Sequence, residues 1–159
     1  MDKKKLIQQI IQVLDRDVAS LKSAALETYA AATGEESKPE NKYDTRALEA
    51  SYLAGAQAKR VLDLESSLNI YKFLEIKSFT PTSRIESTAL VEVDFDGKVT
   101  HVFIVPARGS LTLTFEGIAI QVITPQSPLG EALLGARMGD VVKIDKGSKQ
   151  IEYEIISVR

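Results

Sequence analysis

Two long segments of this chain place apolar residues at alternating steps of four and three. In the first, Ile7, Ile11, Leu14, Val18, Leu21, Ala25, Thr28 and Ala32 form such a series, with only Thr28 polar. That is the spacing of a coiled-coil seam. Leu6, Ile10 and Val13 widen the stripe near its start, as in a helix that packs on more than one neighbour. No Pro or Gly intervenes before Gly34. The spacing predicts a helix from Lys3 to Ala32, roughly 45 Å long at 1.5 Å per residue. The second series is Ala47, Ala50, Ala54, Gln57, Val61, Leu64, Leu68 and Tyr71, again a seam.

The two seams grade in opposite directions. The first begins with Ile and Leu and ends in alanines, whereas the second begins in alanines and ends with Leu and Tyr. The gradients match if the helices run antiparallel. Ala25 and Ala32 then face Ala47, Ala50 and Ala54, and Ile7 and Ile11 face Leu64 and Leu68. Gly55 costs about 1 kcal/mol inside a helix, and close approach of the facing helix would account for it. The expected hairpin is thin at its far end.

The far end is the stretch from Ala30 to Arg46, AAATGEESKPENKYDTR. Gly34 can close the first helix in the left-handed conformation. Pro39 drives Lys38 away from helical angles. Glu40 or Asn41 opens the second helix, and Asp44 lies in its first turn, where a carboxylate favours the helix dipole. Glu35, Glu36 and Glu40 exceed what capping needs. A solvated polar turn is one reading. The other is that acids on an exposed tip complete a divalent-cation site whose remaining ligands belong to a partner. Tyr43 and Tyr52 suit packing near the tip. Arg46, Lys59 and Arg60 could touch a nucleic acid or an acidic surface, although most helix charges are simply solvated.

After Pro81 the period falls to two. Residues 85–95, 101–105, 111–115, 118–123, 141–144 and 151–158 read as strands. Asp96-Gly97 signals a hairpin turn, and Glu116-Gly117 and Gly139-Asp140 mark further breaks. Ser127-Pro128 before LGEALL, with Gly135 after it, reads as a short helix with N-cap, Pro at the first position and a Gly stop. The expectation is α+β. A helical coiled-coil hairpin spans residues 1–77 with its acidic tip at 33–44. Residues 75–83 form a linker containing Pro81. A small, mostly antiparallel α+β domain fills residues 82–159.

Composition narrows the function. The chain has 159 residues and no cysteine, so disulfides, thiolate metal sites and a Cys nucleophile are excluded. His101 is the one histidine, which leaves no His-based triad and makes His101 a plain strand residue. Net charge is -2, and neither half is basic, so contact with DNA or RNA would be local or assisted by a partner. No apolar run approaches the ~20 residues that span a bilayer. The first residues, MDKKKLIQQIIQVLDRD, lack a signal-peptide core. A cytoplasmic protein without membrane contact is expected. There is no Gly-rich phosphate loop and no GxSxG elbow, so the C-terminal half reads as a docking module rather than an active site.

The run ITPQSPLGEALLGARMGDVV, residues 123–142, resembles the C-terminal motif of the bacterial Gre factors, the transcript cleavage factors GreA and GreB. The ending Ile151-Glu152-Tyr153-Glu154-Ile155 is similar to that family too, as is the order of a helical hairpin followed by a small FKBP-like domain. At the tip, Glu40-Asn41 and Tyr43 echo the family's G-D-x-x-E-N-x-x-Y stretch.

The resemblance implies a transcription elongation factor that is not itself an enzyme and has no cofactor of its own. Its partner would be bacterial RNA polymerase, with indirect contact to nascent RNA. The C-terminal domain would dock at the rim of the secondary channel through Ser127, Pro128, Leu129, Leu133, Leu134, Gly135, Gly139 and Asp140. The hairpin would enter the channel and present Glu35, Glu36 and Glu40 to the polymerase active centre. There Glu36 and Glu40 would share a polymerase-supplied Mg²⁺, supported by Asn41, Tyr43 and Asp44. The polymerase's own centre would then cleave backtracked RNA.

The tip departs from the family pattern. Lys38-Pro39 directly precedes Glu40-Asn41, and one residue is missing between Asn41 and Tyr43. The first acid is Glu rather than Asp, five or four residues from Glu40 rather than three. A second reading follows: a secondary-channel regulator or inhibitor that does not stimulate cleavage. A third, outside transcription, is a prolyl isomerase or coiled-coil adaptor. Oligomeric state is not legible in the sequence.

Overall fold

The computed structural model describes residues 1–33, 46–147 and 149–159, with the backbone alone at residues 31, 32, 46, 47, 50 and 146. Helix α1 runs Lys3–Thr33 and α2 runs Arg46–Lys72. Six strands and one short helix follow: β1 Leu90–Phe95, β2 Lys98–Ile104, β3 Leu111–Phe115, β4 Ile118–Ile123, α3 Pro128–Leu133, β5 Val141–Lys146 and β6 Lys149–Val158. The chain is α+β as its patterning predicts. It divides into two compact units, Gln8–Lys72 on one hand and Met1–Ile7 with Phe73–Arg159 on the other.

In the helical unit the heptad positions Leu14, Val18, Ala54, Val61, Leu64, Leu68 and Tyr71 are buried, as is Ile10 beside the seam. Two ion pairs cross from α1 to α2: Lys22 meets Glu65 at 2.5 Å and Asp15 meets Lys72 at 4.0 Å. As one partner descends in number the other climbs, which makes the helices antiparallel. The register differs from the one that the size gradients suggest. It sets Val18 and Leu21 across from Leu68 and Leu64, so Ile7 and Ile11 do not face those leucines. Val18 stands three seam positions beyond Ile7, and a seam with steps of four and three can slip by seam positions and keep its pattern. Gly55 also departs from expectation. It is exposed, and a Cβ built on it meets nothing within 4 Å, so close helix approach is not its reason.

In the second unit the strands form one sheet in the order β3-β4-β2-β1-β6-β5. All neighbours are antiparallel except β2 and β4, which run parallel, Phe103 opposite Val122. The β1–β2 hairpin turns at Asp96 (φ 52°) and Gly97 (φ 78°), the paired positive φ of a type I′ turn. Asp94 Oδ1 accepts from the Gly97 amide at 3.0 Å. Glu116 and Gly117 repeat this geometry between β3 and β4. One sheet face supplies Val91, Val93, Val102, Ile104, Ile123 and Ile155 to a core that Leu133 of α3 closes. Leu90, Phe103, Ile120 and Val122, at the alternate positions, are buried as well.

The expected linker, residues 75–83, has no regular secondary structure but is firmly held. The Ser83 amide donates to Thr80 O at 2.9 Å, the Lys77 amide donates to Thr88 Oγ1 at 3.0 Å, and Phe79 packs on the core.

Candidate docking site

The run 127–140 folds as three linked turns, each traceable to its residues. Ser127 caps α3. Its Oγ accepts from the Gly130 amide at 3.1 Å and donates to Thr124 O at 2.8 Å. Pro128 stands in the first turn, where its missing N–H costs nothing. A Cβ at Gly130 would lie 2.0 Å from Thr124 O, so only glycine fits there. Leu133 is fully buried and Leu129 packs on the core. Gly135 takes φ 82°, a conformation that costs little for glycine alone. Its amide donates to Ile85 O at 2.8 Å, and the Ile85 amide donates to Ala136 O at 2.8 Å. Asp140 Oδ2 accepts from the Arg137 amide at 2.8 Å, and Gly139 (φ 88°) donates to Ile155 O at 2.8 Å.

Much of this motif is therefore occupied in building the domain. The side chains it leaves exposed are Pro128, Glu131, Leu134, Arg137, Met138 and Asp140. Val141 follows them and is also exposed. Arg137 is tied down, its Nη1 donating to Thr82 O at 2.8 Å. Leu134, Met138 and Val141 are the exposed large apolar residues of the segment.

Beside the cap lies a cleft of about 250 Å³. Ser110, Gln121, Thr124 and Ser127 supply its polar lining, and Ile123, Leu129 and Ile144 much of its apolar one. Sequence reasoning did not find it, because its walls come from four separate elements.

Of the helical site residues, Lys59 and Arg60 are exposed on α2, and Arg46 opens that helix. Glu35, Glu36, Glu40, Asn41, Tyr43 and Asp44 lie outside the described residues, as does the expected start of the second helix at Glu40 or Asn41. Among the described residues no group of three or more His, Asp or Glu side chains could hold a metal ion. His101 stands opposite Glu92 on the neighbouring strand. Glu92 Oε1 accepts from Arg159 Nη2 at 2.9 Å and lies 3.7 Å from His101 Nε2. No helix among the described residues is long and apolar enough to cross a membrane.

One cluster escaped the sequence reading. Lys3 Nζ donates to Lys77 O at 2.6 Å and to Thr88 O at 3.0 Å, and sits 4.6 Å from the Phe79 ring centroid. Burial holds its pKa below the usual lysine value. Thr88 has φ 71°, rare for a β-branched residue. Lysine followed by an apolar helix carries no signal of such a role.

Residues 81–159 match the family described as "Transcription elongation factor, GreA/GreB, C-term". By this domain the chain belongs to the GreA/GreB family. A curated relative, transcription elongation factor GreA of Psychromonas ingrahamii, is 27% identical over 103 residues. That match covers 63% of this chain and 60% of the relative, under two thirds of its length. Among solved structures, GreA factor homolog 1 (Gfh1) of Thermus thermophilus is 23% identical and covers 94% of both chains, with a TM-score of 0.39. GreA/GreB from Nitrosomonas europaea is 21% identical over 62% of this chain and 78% of its own, with a TM-score of 0.38. The matched Gre segment contains the whole 127–140 run, the cleft beside it and all six strands.

Proposed function

We propose that this Gre-family protein binds bacterial RNA polymerase in its secondary channel and stimulates the polymerase to cleave backtracked RNA. The observation that carries this reading is the GreA/GreB C-terminal domain at residues 81–159, preceded by a long antiparallel hairpin. The exposed side chains of the 127–140 run, Leu134 and Met138 among them, provide the docking surface, and the buried ones hold it rigid. The sequence between α1 and α2 carries Glu35, Glu36 and Glu40. Carboxylates are the hard oxygen ligands that Mg²⁺ prefers, and in this reading Glu36 and Glu40 share an ion belonging to the polymerase. Asn41, Tyr43 and Asp44 support the tip. In the same reading Arg46, Lys59 and Arg60 meet nascent RNA or an acidic surface of the partner. The protein is an accessory factor in the cytoplasm, and the hydrolytic chemistry is the polymerase's own.

The test is transcript cleavage on stalled elongation complexes. The wild type should release short 3′ RNA fragments, and the triple variant Glu35→Ala, Glu36→Ala, Glu40→Ala should not. Equal activity of the triple variant rejects the assignment of the tip.

A second reading is favoured by the altered tip, with Lys38-Pro39 ahead of Glu40 and non-family spacing of its acids. Here the protein occupies the channel and modulates or inhibits without stimulating cleavage. In that case the wild type releases no fragments but competes with a cleavage-competent Gre factor for polymerase. Failure to compete would remove both readings and leave the isomerase and adaptor alternatives.

A further inference from the structure

We infer that one side of the helical hairpin is a self-association surface, on which a second copy of this chain packs to form a two-fold, four-helix bundle. The residues one position after the seam lie along this side. On α1 they include Asp15, Lys22, Leu26 and Tyr29, and on α2 Gly55, Ala58, Leu62, Glu65 and Lys72. The Lys22–Glu65 and Asp15–Lys72 ion pairs both lie here. A groove of about 420 Å³ runs between the helices, lined by Ala25 and Val61 of the seam and by Leu26, Ala58 and Leu62 beside it, with Lys22 and Glu65 at one end. Leu26, Tyr29 and Leu62 are 69%, 60% and 65% exposed. Large apolar side chains in such a stripe mark a face that packs on something. The side one position before the seam carries Asp17, Glu27, Arg60 and Asp63, all exposed, as a solvated face does.

Charge and size identify the occupant. A two-fold axis parallel to the helices sets α1 of each copy against α2 of the other at the same level. Every contact between copies then repeats one within a copy. Lys22 meets the other copy's Glu65 as well as its own, and Asp15 meets the other copy's Lys72. Around the four helices, lysine and carboxylate alternate at both levels. Charges that flank an apolar seam set partner and orientation in helical bundles. The Lys22–Glu65 pair also places Tyr29 level with Ala58 and Leu26 beside Leu62. Across the axis a large ring therefore faces a small side chain, and leucine packs on leucine. Gly55, on the same stripe, has open space where a Cβ would stand, and that space is room for the second copy.

The area fits a reversible pair. From Asp15 to Thr33 the side is about 27 Å long and two helices, about 20 Å, wide, or roughly 1,100 Å² over both copies. This is the low end for specific interfaces, so association is weak and depends on concentration. On the proposed reading of the hairpin, pairing would hold it out of the channel. The association itself does not depend on that reading, and its test involves no polymerase.

The test is sedimentation equilibrium of the full chain from about 5 to about 500 µM, a range over which mass action fills a weak dimer. The mass should rise from 17.4 kDa toward twice that value. Leu62→Glu changes an exposed side chain and should weaken association at least tenfold while circular dichroism stays that of the folded protein. Lys22→Glu and Glu65→Lys each place four like charges at one level of the bundle, so each alone should associate at least tenfold more weakly. An equimolar mixture of the two restores opposite charges across the axis and should associate at least fivefold more tightly than either variant alone. Three results would overturn the inference: a monomer mass throughout, wild-type association of Leu62→Glu, or a mixture no tighter than its components. The first would leave the groove to a different protein, and the last would mean that the copies meet in another register.

Discussion

The ammonium of Lys3 donates to the carbonyl of Thr88 at 3.0 Å, tying the first turn of α1 to a threonine in left-handed geometry. Burial lowers the Lys3 pKa, so the folded state binds this proton less tightly than the unfolded chain does. Between the lowered folded value and 10.5 the unfolded state holds more protons, and stability must rise with pH across that window. Denaturant unfolding of wild type and Lys3→Met from pH 8 to 10.5 should show the wild type gaining on the variant as pH rises. Parallel curves would refute the linkage.

Thr88 uses each of its polar groups. Its amide donates to Ile104 O at 2.8 Å, its carbonyl receives Lys3, and its Oγ1 receives the Lys77 amide. Thr88→Val keeps the shape and the backbone strain and removes only the acceptor. It should cost roughly 1–3 kcal/mol, the penalty of an orphaned donor. A change under a few tenths in equilibrium unfolding would mean that water replaces the bond.

Two glycines make opposite predictions. Gly130→Ala drives a methyl into Thr124 O and should destabilise by about 1–3 kcal/mol or more. Gly55→Ala has open space in a helix interior and should stabilise by about 0.5–1 kcal/mol. Thermal unfolding of the two variants should shift in opposite directions. Shifts in the same direction would mean that one of these local geometries is wrong.

Gln57 sits in the α2 seam between Ala54 and Val61, and its Oε1 is buried with no hydrogen-bond partner among the described residues. Such an orphan costs stability and, in coiled coils, a polar seam residue specifies register. Gln57→Leu should raise stability by about 1–2 kcal/mol. An unchanged or lowered midpoint would show that the amide is satisfied after all.

The register itself can be trapped. The chain has no native cysteine, so Lys22→Cys with Glu65→Cys offers a single reactive pair. A short bismaleimide should bridge that pair efficiently, and should fail with Lys22→Cys and Leu53→Cys. Efficient bridging of the second pair would mean that the seam has slipped.

The helices were legible because heptad spacing is a local property, and their antiparallel sense because side-chain size is graded along both. Register was not legible, since Leu64 and Leu68 fit the seam equally well about three turns away. Lys22–Glu65 and Asp15–Lys72 resolve it, and charged surface residues carry no pattern that announces such a pair. The strand hairpins were readable at Asp96-Gly97 and Glu116-Gly117. The parallel β2–β4 contact was not, because β3 separates those strands in sequence and turn chemistry speaks only for neighbours. Ser127, Pro128 and Gly135 were read correctly as cap, first turn and stop. Gly130 was missed as a packing residue because nothing in the sequence reports the approach of Thr124. The tip acids were legible only as composition and resemblance.

The unit that contains the sheet is discontinuous in sequence, since Met1–Ile7 belongs with Phe73–Arg159. During synthesis the first seven residues leave the ribosome with their eventual neighbours not yet made. The whole helical hairpin must emerge before Lys77 and Thr88 arrive to receive Lys3. The hairpin can therefore fold first, and closure of the Lys3 contacts marks a late step.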